Sequence, residues 1–274
     1  MSFFGRPFFL LHNLSLNNAI WLGFFYICFR IIFFMDNLYQ GVPQNFPIDV
    51  IIPAYNEAAS IAKVVADIPK SLVRHILVCD NGSTDQTAVH AKEAGAMVLS
   101  APVQGYGNAC LAGIQFLRNL EDEPTVVVFL DGDYSDYPGE MRHLIEPIIQ
   151  ADYDLVIGSR ALGKKEEGSM MPQQIFGNWL ATTLIRWIYG YQFTDLGPFR
   201  AIRWSALELL HMEDKTYGWT VEMQVKAAKL GLKCKEVPVS YRIRIGQSKV
   251  SGTIKGTIMA GYKILWTIFK YMWR

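Results

Sequence analysis

Two aspartates, Asp131 and Asp133, stand one residue apart directly after the apolar run Thr125–Leu130. At the end of a buried strand such a pair is a costly like-charge arrangement unless a cation sits between the carboxylates. Hard carboxylate oxygens suit Mg²⁺ or Mn²⁺, which keep some waters and take diphosphate oxygens as further ligands. Asp136 adds a third acid nearby. Gly158-Ser159-Arg160 follows another apolar run, and its guanidinium is suited to two-pronged binding of phosphate.

Other polar clusters also follow apolar runs. Pro53-Ala54-Tyr55-Asn56-Glu57 offers a tyrosine to cover a base and a carboxylate to accept from ribose hydroxyls, although Asn56 and Glu57 equally fit a helix cap. Asp80, before Asn81-Gly82-Ser83-Thr84, is placed to accept from a base N–H or to sit in an ordinary turn. In Thr194-Asp195-Leu196-Gly197-Pro198-Phe199-Arg200, Asp195 is either a base or a cap, and the segment is expected to lead into a helix. Arg242, Arg244 and Lys249 fall within eight residues beside Gly246 and Ser248, which makes an anion site or a solvated basic loop.

These clusters need elements to hold them. Short β-rich runs (49–54, 74–79, 96–99, 125–130 and 154–158) alternate with helical patterns (58–68, 84–94, 108–117 and 138–150). That alternation predicts an α/β, doubly wound, mainly parallel sheet. Ligands of such sheets bind beyond the carboxyl ends of the strands, which is where the polar clusters fall. A helix is expected from Trp219 to Gly231 and a strand over 236–239, while 163–172 reads as a charged loop in a position suitable for a lid.

The chain has 274 residues, 51% hydrophobic and 19% charged, enough for a sizeable core and unlike a disordered chain. A net charge of +1 argues against nucleic-acid binding over the whole surface. Four widely spaced cysteines, Cys28, Cys79, Cys110 and Cys234, form no CxxC pair and point to a reduced, cytoplasmic-side protein.

The ends differ from the middle, giving an expected division into 1–45, 46–250 and 251–274. Residues 19–35 are almost wholly apolar with Arg30 near the centre. Three readings are open for them: an interfacial anchor, a weak spanning segment, or a start assigned too early. Residues 253–274 form an amphipathic pattern in which Lys255, Lys263, Lys270 and Arg274 share a sector of roughly 100°. Trp266 and Trp273 edge that sector, and Ile264, Leu265, Ile268 and Met272 face away. Such a helix lies in a membrane interface or docks on the domain with a solvated lysine face.

Taken in order, PAYNE, CDNGSTDQT, GYGNA, FLDGDYSDYP, IGSR, TDLGPFR, EVPVSYR and GQSK over about 49–250 resemble glycosyltransferase family 2. Within the family the chain is similar to the dolichyl- or polyprenyl-phosphate mannose or glucose synthases. The resemblance implies a GT-A fold and inverting hexose transfer from a UDP- or GDP-sugar to a polyprenyl phosphate or other lipid at the cytoplasmic membrane face. The alternative is a soluble enzyme with a small-molecule or saccharide hydroxyl acceptor. By motif, Pro53, Tyr55, Glu57 and Asp80 would hold the nucleoside, while Asp131 and Asp133 would hold Mg²⁺ or Mn²⁺ and the diphosphate. Arg160, Arg200, Arg244 and Lys249 would surround the phosphates, with Arg242 beside them. Asp195, then Asp136, would be the base if the acceptor is a hydroxyl. The chain departs from the family pattern at Asn81, often aspartate, at Ser135-Asp136, commonly Gln-His, and near 174–178, which lacks an arginine.

Overall fold

The computed structural model describes residues 46–246 and 254–273, which belong to one compact unit. The readings of residues 19–35, Lys249, Lys255 and Arg274 fall on residues or side chains outside that description.

Seven strands form one sheet: β1 (Ile48–Ala54), β2 (His75–Asp80), β3 (Met97–Ser100), β4 (Val126–Phe129), β5 (Leu155–Ser159), β6 (Arg200–Arg203) and β7 (Cys234–Pro238). Their spatial order is β3-β2-β1-β4-β6-β5-β7. β1 is buried at every position, as a central strand covered on both faces must be. It pairs in parallel with β2 (Ile51 opposite Leu77) and with β4 (Ile51 opposite Phe129). The chain builds outward from β1 in one direction, then crosses back to lay β4 on its other side. A crevice opens at that reversal, beyond the strand ends that carry Pro53 and Asp131.

One expectation is corrected here. The segment ending at Arg200 leads into β6, a strand, rather than directly into a helix. β6 runs antiparallel to both neighbours, with Phe129 opposite Arg200 and Val156 opposite Ala201. Every other pairing is parallel, so the sheet is mixed but mainly parallel. The helices are α1 (Ile61–Asp67), α2 (Thr87–Glu93), α3 (Tyr106–Arg118), α4 (Met141–Gln150), α5 (Pro172–Tyr189), α6 (Trp204–Leu210), α7 (Trp219–Lys229) and α8 (Ile254–Lys270). Proline at the first position of α5 and left-handed Gly190 after its last turn set the bounds of that helix.

The first part of the loop 163–172 is tied to the segment after β7. The Tyr241 N–H donates to the Lys164 carbonyl, and the Glu166 and Ile243 N–H groups donate to the Tyr241 carbonyl and the Glu166 carboxylate.

The lysine face of α8 is corrected too. Lys263 pairs with Asp214 at 2.9 Å and Lys270 with Glu213 at 3.2 Å, so both flank the docked face instead of pointing away from the domain. Thr267, Ile268 and Tyr271 are buried against the domain. The reason lies in residues 213–214, an acidic pair that the helix meets as it docks.

Candidate functional site

A cavity of about 560 Å³ lies beyond the ends of β1 and β4. That volume suits a ligand of nucleotide-sugar size. Pro53, Tyr55, Glu57, Asp131, Asp133, Arg160 and Arg244 all line it, so seven of the residues singled out from sequence come together.

Asn56 explains how the first two βα turns hold their shape. It adopts φ +52°, a left-handed conformation that asparagine tolerates. Its N–H donates to Ser83 Oγ at 2.9 Å, and its side-chain oxygen accepts from the Thr84 N–H at 2.8 Å. Asn56 thus ties the two turns together instead of capping α1. Asn81 pins the next loop, donating to the carbonyls of Ala101 and Val103 and accepting from the Gly105 N–H. Asp80 stands at the end of β2, accepts from the Ser83 N–H at 3.3 Å, and does not line the cavity.

The carboxylate pair carries the expected strain. Burial first, and the charge of Asp133 second, raise the Asp131 carboxyl to about 7. Tyr106, from the first turn of α3, donates its hydroxyl to Asp131 at 3.0 Å. Asp133 accepts from the Ser135 N–H at 2.8 Å on one oxygen and from Arg244 at 2.7 Å on the other. Arg244 also lies 3.9 Å from Glu57, and its Nε is buried without a partner among the described residues. Two neighbouring carboxylates on the cavity wall, one of them buried and raised by the other, fit a divalent cation held by Asp131 and Asp133. Among the described residues no group of three or more His, Cys, Asp or Glu could hold a metal, so water and phosphate oxygens would have to complete its shell.

Arg160 is fixed from behind. Asp195 receives its Nε at 2.8 Å, its Nη2 at 2.7 Å and its backbone N–H at 2.7 Å. The guanidinium also lies over the Tyr241 ring at 5.0 Å. Asp195 is only 1% exposed, and Arg160 holds its carboxyl below the usual range despite that burial. Glu236 accepts from the Thr194 and Asp195 N–H groups, which sets the loop in place. Asp195 does not line the cavity.

Three other residues stand away from the cavity wall. Arg200 is fully buried and donates to the carbonyls of Leu196, Gly197 and Thr220, with burial lowering its pKa to about 10. Arg242 packs on the rings of Tyr134 and Tyr137 and donates to the carbonyls of Tyr134 and Asp136. Asp136 is buried, neither carboxyl oxygen has a partner among the described residues, and burial raises it well above the carboxylate range.

Sequence reasoning missed Tyr106 and Tyr241, which face the cavity with Tyr217 and Trp219. Tyr106 lies in the GYGNA run, but its tie to Asp131 exists only because α3 packs beside β1 and β2.

Residues 49–210 match the family described as Glycosyl transferase family 2. An uncharacterized glycosyltransferase of Mycobacterium tuberculosis is 34% identical over 221 residues, 78% of this chain and 94% of that protein. The undecaprenyl-phosphate mannosyltransferase of Micrococcus luteus is 32% identical over 75% of this chain and 88% of its own. Glucosyl-3-phosphoglycerate synthase from Mycobacterium tuberculosis, solved with Mn²⁺, UDP-glucose and phosphoglyceric acid, has a similar fold. It gives a TM-score of 0.66 at 22% identity, over 83% of this chain and 80% of that one.

Proposed function

The chain belongs to glycosyltransferase family 2, and from that premise we propose that it moves a hexose from a UDP- or GDP-sugar to a polyprenyl phosphate with inversion. The observation that carries this reading is the convergence of Asp131, Asp133, Arg160 and Arg244 on one cavity. Such a wall meets both a nucleoside diphosphate and an anionic acceptor. Relatives named as undecaprenyl-phosphate mannosyltransferase and dolichyl-phosphate hexose transferase support the lipid phosphate.

Tyr55 and Glu57 hold the nucleoside, and Asp131 and Asp133 hold Mg²⁺ or Mn²⁺ with the diphosphate. When bound there, Mg²⁺ or Mn²⁺ would supply positive charge to offset that of the leaving diphosphate. Arg160 and Arg244 orient phosphate oxygens within the cavity. An acceptor phosphate oxygen forms the new bond to the anomeric carbon as the bond to the diphosphate oxygen breaks on the opposite face. The nucleophile is already an anion, so no protein base takes a proton.

A hydroxyl acceptor would need such a base. The Asp195 carboxylate is engaged with Arg160, and Asp136 lies off the cavity wall, which favours the phosphate. We place the reaction at the cytoplasmic face of a membrane. The test measures nucleoside diphosphate release with a panel of UDP- and GDP-sugars and Mn²⁺, with and without a short polyprenyl phosphate. Release that depends on the lipid and disappears in Asp133→Ala supports the reading. Release indifferent to the lipid moves the assignment to another acceptor.

A further inference from the structure

Arg160, Arg242 and Arg244 are held in three different ways. Arg160 gives Asp195 both ends of its guanidinium and its backbone N–H. Arg242 lies on two tyrosine rings and donates to two carbonyls. Arg244 pairs closely with Asp133 Oδ2, at 2.7 Å, and lies farther from Glu57, at 3.9 Å. Its Nε is buried without a partner among the described residues, a donor that a finished set of hydrogen bonds would use.

The Asp133 carboxylate has little room for another guest. Its Oδ1 accepts from the Ser135 N–H at 2.8 Å and from the Ser135 hydroxyl at 2.5 Å, which uses both lone pairs of that oxygen. Oδ2 is the oxygen left to meet a cation, and Arg244 already sits on it. A divalent ion bound to Oδ2 would crowd two positive groups onto one oxygen. In the metal-free protein the same contact supplies a counter-charge to a side chain that is only 5% exposed.

The backbone around Arg244 is anchored on both sides. The Arg242 and Ile245 N–H groups donate to the Ser135 and Asp133 carbonyls, each at 2.9 Å. The Ile243 N–H donates to the Glu166 carboxylate at 2.9 Å. The Arg244 side chain itself is 29% exposed and lines the cavity, so it can turn from Asp133 into that space without breaking those backbone bonds.

We propose that Arg244 is an internal stand-in for the metal. It occupies the Asp133 oxygen in the metal-free protein and swings to the phosphates of the nucleoside diphosphate when a divalent ion takes that oxygen. This rests on the reading of Asp131 and Asp133 as the residues that hold the cation. A cation arriving alone has to break the ion pair and leaves the guanidinium without an anion. With a nucleoside diphosphate present, the orphaned Nε and one Nη find phosphate oxygens for the two-pronged contact that suits a guanidinium. Metal and nucleotide therefore bind as a linked pair, each raising the affinity of the other by the same factor. Arg244 keeps the site closed to free cations until the donor is there.

Manganese titrations followed by the paramagnetic resonance of free Mn²⁺ read this linkage without turnover. They are run on the full-length protein, Arg244→Gln and Asp133→Ala, with and without UDP or GDP. Arg244→Gln is expected to bind Mn²⁺ alone about tenfold more tightly than the parent, and to gain less when the nucleoside diphosphate is added. Unchanged or weaker binding of Mn²⁺ alone in Arg244→Gln overturns the proposal. Removing any nearby positive charge also favours a cation, so the side chain is followed separately by nuclear magnetic resonance. The Arg244 Nε–H signal, identified by its loss in Arg244→Lys, is recorded as Mg²⁺ and the same nucleotide are added. It is expected to move downfield as the orphaned donor gains a phosphate partner. A signal that stays in place with both ligands bound overturns the proposal even if the Mn²⁺ affinities change as expected. If the parent and Asp133→Ala hold Mn²⁺ equally well with either nucleotide, the reading of the metal-holding residues fails, and this inference fails with it.

Discussion

Asp195 grips Arg160 at both ends of the guanidinium, with Nε 2.8 Å from one carboxylate oxygen and Nη2 2.7 Å from the other. The pair spans 35 positions of chain and fixes a cation on the cavity wall, while the carboxylate itself stays behind that wall. In the proposed reaction this arrangement makes Asp195 a positioning residue for Arg160.

Removing that grip has a signature of its own. Asp195→Asn is expected to lower kcat by about two orders of magnitude, since a donor aimed at developing charge is displaced. Arg160→Lys should fall comparably, because a point charge lacks the planar fork. The shape of the pH–rate profile should survive in Asp195→Asn. Loss of its acidic limb would instead make Asp195 the base. In stability, Asp195→Ala leaves a buried guanidinium unpaired and should cost about 3 kcal/mol in urea unfolding. The Asp195 carboxyl is lowered by folding, so this contribution is present above the unfolded value and fades as the pH falls through the folded one.

Asp131 behaves in the opposite sense. Its folded value of about 7 lies above the ordinary carboxylate range, so the ionised form is the disfavoured one in the metal-free protein. Metal-free stability should decline as the pH rises through about 7, and added Mn²⁺ should reverse the decline. By calorimetry, Mn²⁺ affinity should weaken about tenfold per pH unit below 7 and level off by about pH 8. An affinity independent of pH over that interval would contradict the role given to Asp131.

Tyr106 supports the charged form of Asp131 through its hydroxyl. Tyr106→Phe keeps the ring and removes the donor, so the midpoint of the pH dependence should move to higher pH. Mn²⁺ affinity at neutral pH should drop about fivefold, in keeping with the loss of one hydrogen bond to a charged group. An unchanged midpoint would mean that the hydroxyl does not act on Asp131.

Much of this arrangement is legible in the residues, for identifiable reasons. β1 and β4 are unbroken buried runs, and the polar clusters after them fall at strand ends by the logic of a parallel sheet. β6 hides because it has four residues, opens on an arginine and runs against its neighbours. No local pattern announces that Arg200 faces inward to carbonyl oxygens rather than phosphates. Asp195 and Arg160 are legible as types but not as a pair, since their contact depends on β5 lying side by side with β6, which the segment carrying Asp195 enters. On α8, apolar residues lie nearly all around the helix, so the lysine sector reads as its outer face. Only the position of Glu213 and Asp214 turns that sector to the flank.

Gly107 offers a check on the packing behind the site. It lies in α3, where alanine would ordinarily add about 1 kcal/mol of helix stability. Here a Cβ would stand 1.9 Å from the Asp214 carbonyl oxygen. The segment from Asp214 to Tyr217 would have to shift, disturbing the Lys263 pairing and Tyr217 on the cavity wall. Gly107→Ala should therefore destabilise the protein by about 2 kcal/mol in urea unfolding. A neutral or stabilising result would mean that this contact is not close in solution.

The central claim is that the attacking group is a lipid phosphate, and acceptor discrimination tests it most directly. With the preferred labelled nucleotide sugar and Mn²⁺, transfer is measured to a short polyprenyl phosphate, to the matching polyprenol and to 3-phosphoglycerate. Labelled polyprenyl-phosphate hexose as the sole substantial product, with none on the polyprenol, is the predicted result. Transfer to the polyprenol or to 3-phosphoglycerate in preference to the polyprenyl phosphate would contradict the account.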